Sequence, residues 1–212
     1  MTFEIVAESE PVPIADILSD SADGYIASNA DTAVIGYAAY GSSVRAAIEP
    51  LINCYAIPLF DDSLELRAPL DAGAIVVNEE MLGNSADEKP SSRVQREQYW
   101  ASSRPTVLRL SYYDPARDFQ SGEARASAAD QSDLEEALQL PAVLAADDAK
   151  SLVHQMIARR WAQRDKLTVR LPPAFLGLEP GEQVEMPLDS QRWVVEKCTI
   201  DAFVVIAELT AR

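Results

Sequence analysis

The chain is short of positive charge. Its 212 residues carry 18 Lys and Arg against 34 Asp and Glu, a formal net charge of -16 at pH 7, so its surface repels a phosphate backbone and tight nucleic-acid binding is excluded. Cysteine is almost absent: Cys54 and Cys198 lie far apart and outside any CxxC, which encodes neither a disulfide framework nor a zinc cluster. Both are expected to be small buried hydrophobes. No apolar run approaches the ~20 residues that span a bilayer. The N-terminal MTFEIVAESEP lacks a basic n-region and an apolar h-region, so no secretory signal is expected. The eight glycines include no GxG pair and no GxxxxGKS or GxxxxGKT, which leaves no phosphate cradle.

What is present is an ordinary globular composition, with 48% hydrophobic and 25% charged residues. Two segments with strong hydrophobic periodicity flank a poor one: residues 83–104, GNSADEKPSSRVQREQYWASSR, are rich in Gly, Pro, Asn and Ser punctuation and low in aliphatics. This places a linker at 83–104 between domains at 1–82 and 105–212. The charge is uneven across them, with 17 acidic and 6 basic side chains in residues 1–105 against 17 and 12 in residues 106–212.

In the first segment, Phe3 to Val6 reads as a strand, and Ile14, Ile17 and Leu18 behind Pro13 read as a short helix. Residues 33–40 favour a strand. Ser43 then N-caps a helix with Val44, Ala47, Ile48, Leu51 and Tyr55 on one face, although Pro50 removes an interior backbone donor and should kink or break it near Ala46. IPLF and LELR around Asp61-Asp62-Ser63 read as a hairpin. The predicted order is β-α-β-α-β-β, a small sandwich. In the second segment, VLRLSYY (107–113) and GEARASAA (122–129) form a hairpin around the turn-rich DPARDF. Residues 147–163 are the clearest helix: Asp147 and Asp148 complement the positive end of its dipole, and Arg159, Arg160 and Arg164 load the other end. Its stripe of Ala149, Leu152, Val153, Met156 and Ile157 is expected to pack on the C-terminal sheet. That sheet is formed by KLTVRLPP, EQVEMPL, RWVVEKCTI and AFVVIAEL, with a turn at Asp189-Ser190. The fold class is α+β, with a second domain that is β-rich, barrel-like and carries one long amphipathic helix.

The residues that could carry chemistry do not converge. The single histidine, His154, sits off the apolar stripe of the 147–163 helix, and no GxSxG elbow accompanies it. Asp114 and Asp118 are four apart, while Glu79-Glu80 and Asp147-Asp148 are adjacent; none matches an EF-hand or HExxH spacing, and turns and helix starts account for them. Catalytic, cofactor-binding and metal-binding residues are therefore assigned as none, and no cofactor is expected. Arg160 lies on the apolar meridian of its helix, where a stem snorkelling to solvent is favoured over an ion pair. Tyr99 and Trp100 in the linker read either as interface anchors or as residues packed back on their own domain.

A resemblance then covers most of the chain. VIGYAAYGSSVRAAIEPLINCYAIPLFDDSLELR shows a Gly-Tyr strand, a Ser-capped helix containing Glu-Pro-Leu, and a hairpin ending in Arg. Further motifs follow in order: Tyr113-Asp114-Pro115 with Asp118-Phe119, Leu140-Pro141, Ala158 to Arg164, and Leu178-Glu179-Pro180-Gly181-Glu182. Together they resemble the C-terminal region of phage-type tail hub proteins, including those of alphaproteobacterial prophages and gene transfer agents. The resemblance places Pro50 in a family context and differs from it mildly at Glu182, where Asp is usual. Family members are longer, some with a glycosidase-like barrel upstream, so the chain resembles a fragment or a truncated form.

The resemblance implies a non-enzymatic baseplate hub of a phage or gene-transfer-agent tail tip, linking the tail tube to the distal spike or receptor-binding parts. Its implied partners are other tail proteins (a tail tube or distal tail protein, a spike) and copies of itself in a ring. The implied location is the virion tail after synthesis in the bacterial cytoplasm, without membrane insertion. Acidic walls would keep passing DNA from sticking. The alternatives are a tail-associated cell-wall hydrolase, marked by paired buried carboxylates in a cleft, and a carbohydrate-binding module, marked by an exposed aromatic platform around Trp100, Trp161 or Trp193.

Overall fold

The computed structural model describes residues 10–61, 64–68, 73–83, 92–100, 103–128, 134–186 and 191–211. The expected strand at Phe3 to Val6, the turn at Asp189-Ser190 and the tip at Asp62-Ser63 lie outside them. The class is α+β. In chain order the elements are β1 (Val12–Pro13), α1 (Ile14–Ser21), β2 (Ile26–Ala27), β3 (Ala33–Val34), β4 (Gly36–Tyr37), α2 (Val44–Tyr55), β5 (Phe60–Asp61), β6 (Leu66–Arg67) and β7 (Ile75–Val76). There follow β8 (Val94–Gln98), β9 (Val107–Asp114), β10 (Gln120–Ser127), β11 (Glu135–Val143), α3 (Ala146–Ala162), β12 (Asp165–Leu171), β13 (Gln183–Glu185), β14 (Arg192–Asp201) and β15 (Val204–Ala211). The first part thus carries more and shorter strands than the expected β-α-β-α-β-β sandwich.

Two larger sheets organise the chain. One has the order β10-β9-β11-β4, the other β7-β13-β14-β15-β12-β8. Among the described residues the second ends in β7 and β8, an open sheet rather than a closed barrel. β9 and β10 form the predicted antiparallel hairpin, with Gln120 opposite Asp114 and Ser127 opposite Val107. β11 runs parallel to β9, and its register slips between Gln139 and Val143. Pro141 lies inside that slip, where its missing N–H cannot join the ladder.

Each larger sheet supports one hydrophobic core. The first joins Ile14, Leu18, Ile48, Leu51 and Cys54 to Leu108, Leu110, Leu140, Val153 and Met156. The second joins Val77 and Leu82 to Val169, Leu171, Trp193, Val195 and Leu209. The chain therefore alternates between cores, and the division of the cores does not coincide with the segment 83–104. Part of that segment is β8, which pairs antiparallel with β12 from Val94 opposite Val169 to Gln98 opposite Asp165.

α3 lies on the first sheet, not on the C-terminal one. Its predicted stripe of Ala149, Leu152, Val153, Met156 and Ile157 is buried against β9 and β10. The approach is allowed by small residues on β10, where Gly122, Ala124 and Ala126 face inward. A Cβ on Gly122 would sit 2.8 Å from the Tyr112 ring. Arg160 does not snorkel: its Nη2 donates to Oε1 of Glu136 on β11 at 2.8 Å.

α2 is continuous through Pro50, contrary to the expected break near Ala46. Three contacts hold it. Ser43 Oγ accepts from the Ala46 amide, the Tyr37 hydroxyl donates to the Ala47 carbonyl at 2.5 Å one turn before the proline, and Arg159 of α3 donates to the Cys54 carbonyl at 2.8 Å. Burial of Ile48, Leu51 and Cys54 supplies what the lost ladder bond does not.

Candidate functional site

The titratable side chains singled out in the sequence are dispersed. His154 is exposed on α3. Cys54 is buried and Cys198 half-buried; burial pushes both thiols up to about 11, so they are poor nucleophiles at neutral pH. Among the described residues Asp114 is the one buried carboxylate, and it accepts from the Ala116 amide at 2.9 Å, which makes it the cap of a turn. Asp118 sits exposed at the same turn. Glu79 pairs with Arg93 at 2.9 Å and Asp147 with Lys150 at 3.1 Å. Among the described residues no group of three His, Cys, Asp or Glu could hold a metal ion.

The tryptophans share no surface. Trp193 is fully buried in the second core. The Trp161 indole donates to the Pro105 carbonyl at 3.0 Å. Trp100 is 84% exposed, beside Tyr99, whose ring lies under Arg104 at 5.3 Å and Lys166 at 5.9 Å.

Among the apolar surface the fold presents to solvent are two hairpin tips and one groove. β9 and β10 are joined through a 3-10 turn at Pro115–Arg117, followed by Asp118 at φ 52° and Phe119 at φ 59°. The Phe119 amide donates to the Asp114 carbonyl at 2.9 Å, closing the loop. β14 and β15 are joined through Ala202 at φ 45° and Phe203 at φ 64°. Two successive left-handed residues are the geometry that Asn-Gly fits without strain. Here the second residue of each pair is phenylalanine, 60% exposed at Phe119 and 74% at Phe203. The groove lies between α2, β2 and β6, just past the C-terminal end of α1, has a volume of about 710 Å³, and is lined chiefly by Ile26, Ile48, Ile52 and Leu66, with Asp23, Arg45 and Glu49 among its polar residues.

The two parts of the molecule are tied by a partly buried fork. Arg67 of β6 donates through Nη2 to both carboxylate oxygens of Glu179, at 3.0 and 3.2 Å, and lies 4.2 Å over the Phe60 ring. Glu179 belongs to the Leu178–Glu182 turn, in which its amide donates to the Glu182 carboxylate at 2.8 Å. Glu182 thus supports that turn directly.

A profile of the family described as "Putative phage tail protein" matches residues 43–198, well over half of the chain. The chain belongs to this family. Solved structures share the fold. A chain of the virion of a native gene transfer agent particle is 20% identical at a TM-score of 0.79, covering 94% of this chain and 47% of that one. The 43 kDa tail protein of prophage MuSo2 from Shewanella oneidensis is 10% identical at 0.55, covering 96% and 66%. The tail protein from Neisseria meningitidis MC58 is 12% identical at 0.53, covering 95% and 67%. The chain thus spans about half the length of the gene-transfer-agent chain. Comparison with curated protein sequences finds no match.

Within this family frame, the motif residues become turns and ties. Tyr113-Asp114-Pro115 and Asp118-Phe119 build the β9–β10 tip, while Leu178 to Glu182 build the turn that receives Arg67. Sequence reading missed Phe203, whose one signal was an Asp-Ala-Phe break between two apolar runs lacking the usual Asn-Gly.

Proposed function

We propose that the chain is a structural, non-enzymatic part of a tail tip, the baseplate hub of a phage or gene-transfer-agent particle, joining the tail tube to the distal spike or receptor-binding parts. Its partners in this reading are other tail proteins and further copies arranged as a ring around the DNA path, where an excess of 16 negative charges would disfavour adhesion of the duplex. It is made in the bacterial cytoplasm and ends in the virion tail. The observation that carries this reading is the superposition of almost the whole chain on a component of a gene-transfer-agent virion. Apolar hairpin tips held out on strained backbone add support, since such costs persist where a contact repays them.

The test is deletion of this region from the parent genome, with particles examined by electron microscopy and assayed for delivery. Tails without tips and loss of infectivity or gene transfer are expected. Normal particles would overturn the reading, as would peptidoglycan turnover by the purified protein that disappears when a single carboxylate is replaced.

A further inference from the structure

Both long hairpins turn through a pair of left-handed residues, Asp118-Phe119 and Ala202-Phe203, and both place an exposed phenylalanine at the second position. Glycine there would remove the steric conflict of Cβ with the backbone. An exposed aromatic also gains nothing from burial. Neither tip is accounted for by the fold of a single copy.

The same molecule carries a recess of matching character. Ile26 and Ile48 form the buried floor of the groove between α2 and β2, and Tyr25, Val44 and Leu66 are exposed around it. Its volume of about 710 Å³ is ample for an aromatic ring and part of its turn. The charges at the groove are Asp23, Arg45 and Glu49, with Arg45 and Glu49 loosely paired at 4.0 Å.

Charge separates the two tips as candidates for this recess. Beside Phe119 stand Arg117 and Asp118, both exposed, and Arg117 makes no ion pair among the described residues. They offer one charge of each sign to a rim that holds both signs. Beside Phe203 the turn offers only Asp201, a third carboxylate against Asp23 and Glu49.

We propose that the Phe119 tip of one copy seats in the α2–β2 groove of a second copy, with Arg117 facing Glu49 or Asp23 and Asp118 facing Arg45. Knob and hole lie on different parts of one chain, so the contact is head-to-tail and closes into a ring or runs on as a filament according to its rotation. The inference deepens the assembly reading above and rests on it.

Site-specific photocrosslinking in the full chain tests it. p-Benzoylphenylalanine replaces Phe119 in one preparation and Phe203 in another, and isotope-labelled and unlabelled copies are mixed so that crosslinks between copies can be recognised by mass spectrometry. Crosslinks from position 119 to residues 22–26 or 44–57 of another copy are expected, with none there from position 203. In sedimentation, Phe119→Gly and Val44→Glu should each weaken self-association at least tenfold, while Phe119→Gly melts no lower than the parent, which separates loss of contact from loss of fold. Crosslinks between copies that map elsewhere, no crosslinks between copies at any concentration tested, or parental association by Phe119→Gly would each overturn the docking. Those results leave the hub reading standing; it falls on the particle-assembly and peptidoglycan experiments.

Discussion

The two cores are built by different means from a chain that visits them alternately. In the first, helices α2 and α3 cover a four-stranded sheet, and the buried surface comes from residues 14–57 and 108–157. In the second, one face of a six-stranded sheet is closed by loops around the fully buried Trp193, and the surface comes from residues 75–82 and 167–211. Each core therefore depends on segments that lie on both sides of 83–104. Four groups of the first core have their ionisation suppressed chiefly by burial: the Cys54 thiol, pushed up to about 11, the Tyr37 and Tyr55 hydroxyls, pushed up to about 12, and the Tyr112 hydroxyl, also raised. The second core holds one comparable group, Cys198. The comparison teaches that segment order and core membership are separate properties of this chain, and that cores built from interleaved segments should fail together.

The largest expected effect is Met156→Asp, which buries an unpaired charge in the first core and should cost several kcal/mol. Hydrogen exchange read by mass spectrometry should show β9, β10 and α3 losing protection, and β12 to β15 losing it with them, because the interleaved segments and the Arg67–Glu179 fork couple the cores. If β14 and β15 stay protected, the cores are independent units and the coupling is absent.

Trp193→Ala opens the second core and should cost about 3–5 kcal/mol, measured as a lowered denaturant midpoint. Its exchange pattern should mirror that of Met156→Asp. A loss confined to β12–β15 would break the symmetry of the comparison.

Alkaline pH should bear more heavily on the first core than on the second, where Cys198 is the one comparable group among the described residues. The folded-state pKa values of Cys54, Tyr37 and Tyr55 are raised, so the folded state favours their neutral forms. That stabilisation is complete below pH 9, the unfolded thiol value, and is lost as the pH climbs through 9–11 for Cys54 and 10–12 for the tyrosines. For Cys54, almost wholly buried, the loss is about 2–3 kcal/mol at the top of its range. Cys54→Ala should flatten the fall between pH 9 and 11 as followed by thermal melts; an unchanged slope would remove the thiol from the account.

The smallest effect sharpens the contrast between structure and surface. Phe203→Gly relieves a left-handed residue at roughly 1–2 kcal/mol against about 0.5–1 kcal/mol of added chain entropy. The net is a gain of about 0.5–1 kcal/mol, visible as a melting temperature a few degrees higher. A lower melting temperature would show that Phe203 packs within its own copy.

Much of this was legible locally. The β9–β10 hairpin, α3 within one residue of 147–163, the Ser43 cap of α2, and strands β12, β14 and β15 follow from period, caps and turn formers. β11 was not, because Pro141 inside LQLPAV argues against a strand, and only the register slip against β9 accommodates it. β8 was hidden for the opposite reason. As an edge strand with nearly every side chain exposed it shows no alternation, and its polar run reads as a linker. Arg160 was misjudged because the helical wheel gives its angle but not Glu136, which β11 brings within 2.8 Å.

The amino-acid pattern determined the acidic character, the class of most elements, the apolar face of each helix and membership of the phage tail family. Tertiary structure alone decided that the α3 stripe meets β9 and β10, that the chain alternates between two cores, and that Arg67 reaches Glu179. It also decided that two phenylalanines stand clear of the fold while a groove between α2 and β2 stays open. The physical reason is that periodicity along a chain encodes which side of an element avoids water. Which other element supplies the covering surface depends on contacts between residues far apart in sequence, selected by packing and loop closure across the whole molecule.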